Sequence, residues 1–248
     1  MNHVKTTLGT LSCHVLQGDD GAPRMAVVLC HGFGAPGEDL VALGPELMRA
    51  HPELARGVRF VFPAAPLSLS QFGANEARAW WDIDLEHRMK LQQQGPDALT
   101  ALRDETPPGL APARRQLLGA LDALTKTSGL AMGRIVLGGF SQGAMLATDT
   151  ALALDEPPAG LGILSGTLLN QAEWAKKAPR RRGLAVFQSH GRVDPVLRFR
   201  EAELLRDLLT HAGLPVEFHA FDGAHGIPGE VLELLGKFLT ARRAALAA

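Results

Sequence analysis

RIVLGGFSQGAMLA, running from Arg134 to Ala147, is the stretch on which the reading of the chain turns. Arg134 to Leu137 is short, β-branched and apolar, the composition of a buried strand. Gly138 and Gly139 follow, then Phe140, Ser141, Gln142, Gly143 and an Ala/Met/Leu run of high helix propensity. The order predicts strand, tight turn and helix, with Ser141 at the apex. Gly139, Ser141 and Gly143 make the pattern Gly-x-Ser-x-Gly, which needs that context. A strand reversing directly into a helix strains the apex residue and lifts its side chain clear of the sheet. Glycines on either side let the neighbouring backbone pass without a Cβ clash. The helix start also sets free N–H groups beside Ser141, where an oxyanion can be stabilised. The plainer alternative is a serine that caps the helix. A lone hydroxyl is a poor nucleophile, so partners elsewhere in the chain must decide.

Outward from this turn, strands and helices alternate. Val4 to Leu16 reads as an opening strand or hairpin at a sheet edge. Met25 to Cys30 is a continuous apolar run, typical of a strand buried on both faces. It leads into His31-Gly32-Phe33-Gly34-Ala35-Pro36-Gly37 and a helix expected from about Glu38 to Ala50. Val58 to Phe62 is the next strand, stopped by Pro63. Ala79 to Ile83, AWWDI, is short and aromatic. Asp84 to Pro112 keeps no apolar period and is expected to be an insertion or lid with broken helices. A helix is predicted over Pro112 to Thr127. After the serine turn the expected elements are a helix to Leu154, strands at Gly160–Leu164 and Leu184–Gln188, and a helix over Val196–His211. A strand at Val216–Phe221 and a helix from Pro228 to Arg243 close the chain. This alternation predicts an α/β fold with a mainly parallel sheet covered on both faces. Residues 1–248 read as a single domain, with 84–112 inserted.

Composition narrows the function. The chain has 248 residues, is 46% apolar and carries a formal net charge of −1. That balance draws it neither to nucleic acid nor to an anionic membrane. Arg180, Arg181 and Arg182 are expected in a solvated loop. Cys13 and Cys30 fall in predicted strands and read as reduced core residues. The start MNHVKTTLGT has no apolar signal core, and no run is long enough to span a bilayer. A cytoplasmic protein without stable membrane insertion is expected. The sequence does not speak to oligomeric state.

In an open parallel sheet, functional groups gather at the carboxyl ends of the strands. Four loops follow predicted strands directly: His31–Gly37, Gly139–Gly143, His190–Asp194 and Asp222–Gly226. The last three supply Ser141, Asp194 and His225. Their chemistry assigns roles: Ser141 attacks a carbonyl carbon, His225 is general base and then acid, and Asp194 orients the imidazole. The Gln142 N–H is one oxyanion donor, and Phe33 is the best-placed second. Asp194 precedes Pro195 and could instead cap a helix; His225 could be merely solvated. Asp222 is a rival acid, but it lies three residues before His225, a spacing that usually turns the side chains apart. His31 and His190 more naturally hold loop backbone. Trp80 and Trp81 either pack a lid or wall an acyl pocket. Cys30 beside His31 reads as core. Gly32, Gly34 and Gly37 satisfy the dinucleotide pattern G-x-G-x-x-G, yet the next strand ends Phe60-Val61-Phe62-Pro63 without the ribose-binding carboxylate. No cofactor and no metal is expected.

These segments resemble the carboxylesterase/acyl-protein thioesterase (phospholipase/carboxylesterase) group of α/β-hydrolases. The matching pieces are LCHGFGAPGEDL, RFVFPAAP, RAWWDI, GGFSQGAMLA, ILSG, SHGRVDPV and the GAHG around His225, in the family's order from about Met25 to Leu239. The resemblance implies a cofactor-free hydrolase of carboxylic esters or thioesters. It places Ser141, Asp194 and His225 in a catalytic triad and the Phe33 and Gln142 amides in the oxyanion hole. Residues 84–112 are longer and more polar than the family's segment after its WFDI-like motif. Two alternatives stay open: a hydrolase-like scaffold that only binds, and a hydrolase of amides or peptides using the same three residues.

Overall fold

Period-two burial along the strand Met25–Cys30 divides the protein into its two cores. Ala26, Val28 and Cys30 pack into one apolar cluster; Met25, Val27 and Leu29 pack into another. Successive side chains of a strand point to opposite faces, so this strand is covered on both. In the computed structural model the described residues are 1–18, 21–70, 76–84 and 103–246.

The strands are β1 (Asn2–Leu8), β2 (Leu11–Gln17), β3 (Met25–Cys30), β4 (Val58–Pro63), β5 (Leu67–Ser68), β6 (Arg78–Ala79), β7 (Ile135–Phe140), β8 (Gly160–Leu164), β9 (Val186–Gly191) and β10 (Val216–Phe221). The helices are α1 (Leu43–Ala50), α2 (Leu110–Ser128), α3 (Gln142–Ala153), α4 (Gln171–Lys177), α5 (Phe199–His211) and α6 (Gly229–Ala245). Eight strands form one sheet in the order β1-β2-β4-β3-β7-β8-β9-β10. Within it the β1–β2 hairpin and the β2–β4 pair are antiparallel and the other described pairs are parallel. β5 and β6 make a separate two-stranded ribbon. Leu47 of α1 and Val231, Leu235 and Phe238 of α6 bury into one core. Leu117 of α2, Ala144 and Ala147 of α3, Trp174 of α4 and Leu205 of α5 bury into the other. This is the α/β arrangement, a mainly parallel sheet covered on both faces, expected from the alternating pattern.

Several boundaries differ from the sequence expectation. The first helix begins at Leu43, because Pro36 to Leu43 forms successive four-residue turns, Pro36 to Asp39, Glu38 to Val41 and Leu40 to Leu43. β9 runs on to Gly191, because its parallel register with β10 pairs His190 with Ala220 and Gly191 with Phe221. α5 starts at Phe199, since the Val196 and Leu197 amides are taken by the Asp194 carboxylate and Arg198 is extended. Helix α2 begins at Leu110, inside the stretch expected to be an insertion, with Pro112 in its first turn, where a missing N–H costs nothing. Residues 85–102, most of that expected lid, lie outside the described residues.

The arginine cluster is not wholly solvated. Arg181 closes a 3₁₀ turn, is buried, and donates from Nε to the Ala151 carbonyl at 2.8 Å. Asp149, also buried, accepts from Arg114 at 2.6 Å and from the Trp174 indole at 2.9 Å. This ties α2, α3 and α4 together beneath the sheet. Both cysteines are free and buried. Burial pushes the Cys13 thiol up to about 11 and the Cys30 thiol well above its ordinary value, so both stay protonated.

Candidate active site

The turn between β7 and α3 is strained, as a strand-to-helix reversal requires. Ser141 sits at φ 53° and ψ −118°, a conformation that L-residues rarely adopt. Its N–H donates to Leu164 of β8 at 2.9 Å, and its carbonyl accepts from Ala144 and Met145. The flanking glycines are obligatory. A Cβ on Gly139 would come within 2.6 Å of the Cys30 carbonyl oxygen, and one on Gly143 within 2.1 Å of it. The crossing of β3, β7 and α3 is therefore backbone on backbone.

Two loops on the same edge supply an imidazole and a carboxylate. His225 follows β10, with its ring centroid 4.8 Å from that of Phe140, the residue before Ser141. Its Nδ1 lies 2.7 Å from Asp194 Oδ2. A carboxylate oxygen accepts, so Nδ1 carries the proton, and the lone pair of the neutral ring is at Nε2. The other oxygen, Oδ1, accepts the Val196 and Leu197 amides at 2.8 Å each. Asp194 thus orients His225 and also closes the turn before α5. Burial works to raise the Asp194 pKa. The bonds from His190, His225 and the Leu197 and Val196 amides outweigh it, and the carboxyl is held well below its ordinary range. Asp222 lies elsewhere: its side chain is 94% exposed and stands 3.3 Å from Arg192. Asp194 is the carboxylate at His225.

The loop after β3 runs beside the serine. A Cβ on Gly32 would lie 3.4 Å from Ser141 Cβ. His31 fixes this loop from below. Its Nε2 accepts the Ala65 N–H at 2.9 Å, which leaves Nδ1–H to donate to the Gly32 carbonyl at 2.8 Å. Burial lowers the His31 pKa and keeps the ring neutral. Gly34 donates to the Arg78 carbonyl at 2.9 Å, and the Arg78 N–H returns to Ala35 at 3.1 Å. Gly37, the third glycine of the apparent dinucleotide pattern, is required by packing, since a Cβ there would lie 2.5 Å from Ala64 Cβ. Gln142 opens α3, so helical bonding leaves its N–H free. Among the described residues, the Phe33 N–H has no backbone acceptor either.

The two adjacent tryptophans separate. The Trp80 indole is buried and donates to the His31 carbonyl at 2.9 Å, so it braces the loop. Trp81 lines a cavity of about 810 Å³ together with Ile83, Met145, Thr167, Leu169 and Leu197. Asp194 and Pro195 also line it, so it adjoins the candidate acid. Among the described residues, no group of three or more His, Cys, Asp or Glu side chains could hold a metal ion, and no helix is long and apolar enough to cross a membrane.

Two contributions are not visible in the sequence. The Gln142 side chain accepts the Trp80 N–H at 2.9 Å and donates to the Trp81 carbonyl at 2.8 Å. It clamps the tryptophan segment to the start of α3, and a polar residue opening the apolar run Gly143–Ala147 was the one available hint. His190 also approaches Asp194 Oδ2, at 3.2 Å. Its spacing of four residues from Asp194 was legible, but which way its ring faces depends on how far β9 extends.

Sheet, strained serine turn and the two facing loops define an α/β-hydrolase. The phospholipase/carboxylesterase family model matches residues 11–242, and the chain belongs to that family. It is a hydrolase of the ester- and thioester-cleaving class. It is similar to acyl-protein thioesterase 1 of Neurospora crassa, 29% identical over 223 residues that cover 87% of this chain and 86% of the relative. Acyl-protein thioesterase 1 of Mycosarcoma maydis is 30% identical over 216 residues, covering 80% and 82%. The crystal structure of esterase PE8 superposes with a TM-score of 0.76 at 29% identity, over 93% of this chain and 98% of that one.

Proposed function

We propose that the chain is a serine hydrolase that cleaves carboxylic esters or thioesters through an acyl-enzyme on Ser141. Ser141 Oγ attacks the acyl carbon while its proton passes to His225 Nε2. Asp194 holds the ring by Nδ1 and stabilises the imidazolium that forms. The Phe33 and Gln142 N–H groups receive the oxyanion. The tetrahedral species collapses, breaking the bond to the leaving group, and His225 returns the proton to the departing alcohol or thiol. Water then gives a proton to His225 and attacks the acyl carbon. Ser141 recovers its proton as the carboxylic acid departs.

The contact of 2.7 Å between His225 Nδ1 and Asp194 Oδ2 carries this reading, because it leaves a basic nitrogen on the sheet edge that holds the strained serine. The cavity beside Asp194, walled by Trp81, Met145 and Leu169, suits an acyl chain. The relatives' names favour thioesters of acylated proteins; that of esterase PE8 favours simple esters. The same reading treats residues 1–248 as one catalytic domain and, given two buried free thiols, assigns it to the cytoplasm. Intact-mass detection of a fluorophosphonate adduct, mapped by peptide, tests the nucleophile. A panel of p-nitrophenyl esters and acyl thioesters of increasing chain length then reads the pocket. An adduct on any residue other than Ser141, or an unlabelled but folded protein that still hydrolyses esters, contradicts the proposal.

A further inference from the structure

Two imidazoles meet one carboxylate oxygen in this structure, and only one of them has a part in the reaction above. We propose that His190 is a positioning residue: by donating to the same Asp194 oxygen as His225, it limits how tightly Asp194 holds the His225 proton. The inference rests on the reading in which Asp194 and His225 serve Ser141.

His190 lies one residue before the end of β9, and its side chain is fully buried. Its Nε2 is 2.8 Å from the Leu197 carbonyl and 3.2 Å from Asp194 Oδ2. A carbonyl oxygen accepts only, so Nε2 bears the proton; it bonds Leu197 and faces the Asp194 oxygen at the longer distance. Nδ1 is buried and, among the described residues, without a hydrogen-bond partner. Nε2–H is thus the donor that the ring presents to Leu197 and Asp194. The Phe199 ring stands 6.2 Å from it, and the Arg192 guanidinium lies 5.5 Å from the far Phe199 ring.

Four N–H groups therefore face Asp194: Val196 and Leu197 bond Oδ1, His225 bonds Oδ2, and His190 Nε2 stands 3.2 Å from the same Oδ2. The other charged groups nearby are Asp82, Asp84, Arg103, Glu105, Arg198 and Glu201 on the adjoining cavity, with Arg103 and Glu201 paired at 3.4 Å. On the β10 side, Arg192 and Asp222 pair at 3.3 Å. Each donor to a carboxylate lowers its basicity. With His190 in place, Asp194 stabilises the imidazolium less than an unshared carboxylate would. His225 then remains neutral, and able to accept the Ser141 proton, to lower pH. It also hands that proton on to the leaving group more readily. His190 fixes Oδ2 in position as well, since the same N–H anchors it to the Leu197 backbone.

The test is the pH profile of kcat/KM on a short p-nitrophenyl ester for wild type, His190→Leu and His190→Gln, with fluorophosphonate labelling and thermal unfolding of each. In His190→Leu the acid limb should move to higher pH by about half a unit or more. His190→Gln, whose amide nitrogen reaches the position of Nε2, should move the limb back toward wild type. If His190→Leu does not fold, His190→Asn replaces it, because its shorter amide cannot reach Oδ2 and the same shift is expected. A folded Leu or Asn variant with lowered Tm and an unmoved acid limb makes His190 a strut of the loop and overturns the proposal. Wild type that is not labelled at Ser141 strikes the functional reading itself. Labelled Ser141 with an unmoved limb strikes only the role of His190.

Discussion

The strain at Ser141 can be measured apart from its chemistry. At φ 53° and ψ −118° a residue with a Cβ is held where L side chains rarely sit. Such conformations cost about 1–3 kcal/mol each. Ser141→Ala removes the hydroxyl but keeps the Cβ, and so keeps the strain. Ser141→Gly removes both. Glycine also has the more flexible unfolded chain, which offsets about 0.5–1 kcal/mol of the gain. The glycine variant should therefore be more stable than the alanine variant by roughly 0.5–2 kcal/mol. In a protein of this size each kcal/mol moves Tm by about 2–4 °C, so a gap of about 1–8 °C is expected. Differential scanning calorimetry of both variants in one buffer at neutral pH reads it directly. Both should also lose on the order of 10⁴-fold or more in ester turnover, since neither retains a nucleophile. A glycine variant no more stable than the alanine variant would show that the apex backbone is relaxed. The argument that the fold holds the serine in a costly conformation for its chemistry would then fail.

Further expectations come from named contacts. Gly143→Ala forces a Cβ to 2.1 Å from the Cys30 carbonyl, backbone against backbone, and should cost about 3 kcal/mol or more in urea unfolding; a milder loss would mean that α3 can shift off β3. Asp194→Asn should lower turnover by about 10⁴-fold, because the amide no longer selects the Nδ1–H tautomer of His225. Because the folded pKa of Asp194 lies below its unfolded value, its stabilising contribution is complete above about pH 4 and fades as pH falls through the folded value. The stability gap between wild type and the asparagine variant should thus narrow in acid, and a gap that widens there would contradict this sign. His31 has the same direction of shift with a base: its folded pKa lies below the unfolded value near 6.5, so stability is full above that value and declines as pH falls below it. An NMR titration of His31 should have its midpoint below that of a free histidine, and a midpoint above it would remove the buried neutral ring from the account.

Much of this protein can be read in one dimension because local chemistry repeats with the right period. The apolar runs at 25–30 and 135–140 announce buried strands, and glycines at 139 and 143 announce a turn whose backbones touch. Ser141, Asp194 and His225 follow β7, β9 and β10, at the carboxyl ends where a parallel sheet gathers its loops. Element ends were less legible. Where β9 stops is decided by its pairing with β10, and where α5 starts is decided by Asp194 taking two amides that a helix would otherwise use. Both outcomes depend on partners far away along the chain.

Side-chain direction was the other matter left to the tertiary structure. Trp80 and Trp81 are neighbours of identical type, yet one braces the His31 loop and the other walls the cavity. Arg181 sits in a run of three arginines, and it alone among them is buried. His190 and Gln142 have functional neighbours in sequence, but their bonding atoms are aimed by strand register and helix phase. Periodicity determines which residues face inward, because it is a property of the local backbone. Which inward-facing group meets which is determined only when strands and loops from all along the chain assemble, because a hydrogen bond needs both partners in place to within a few tenths of an ångström.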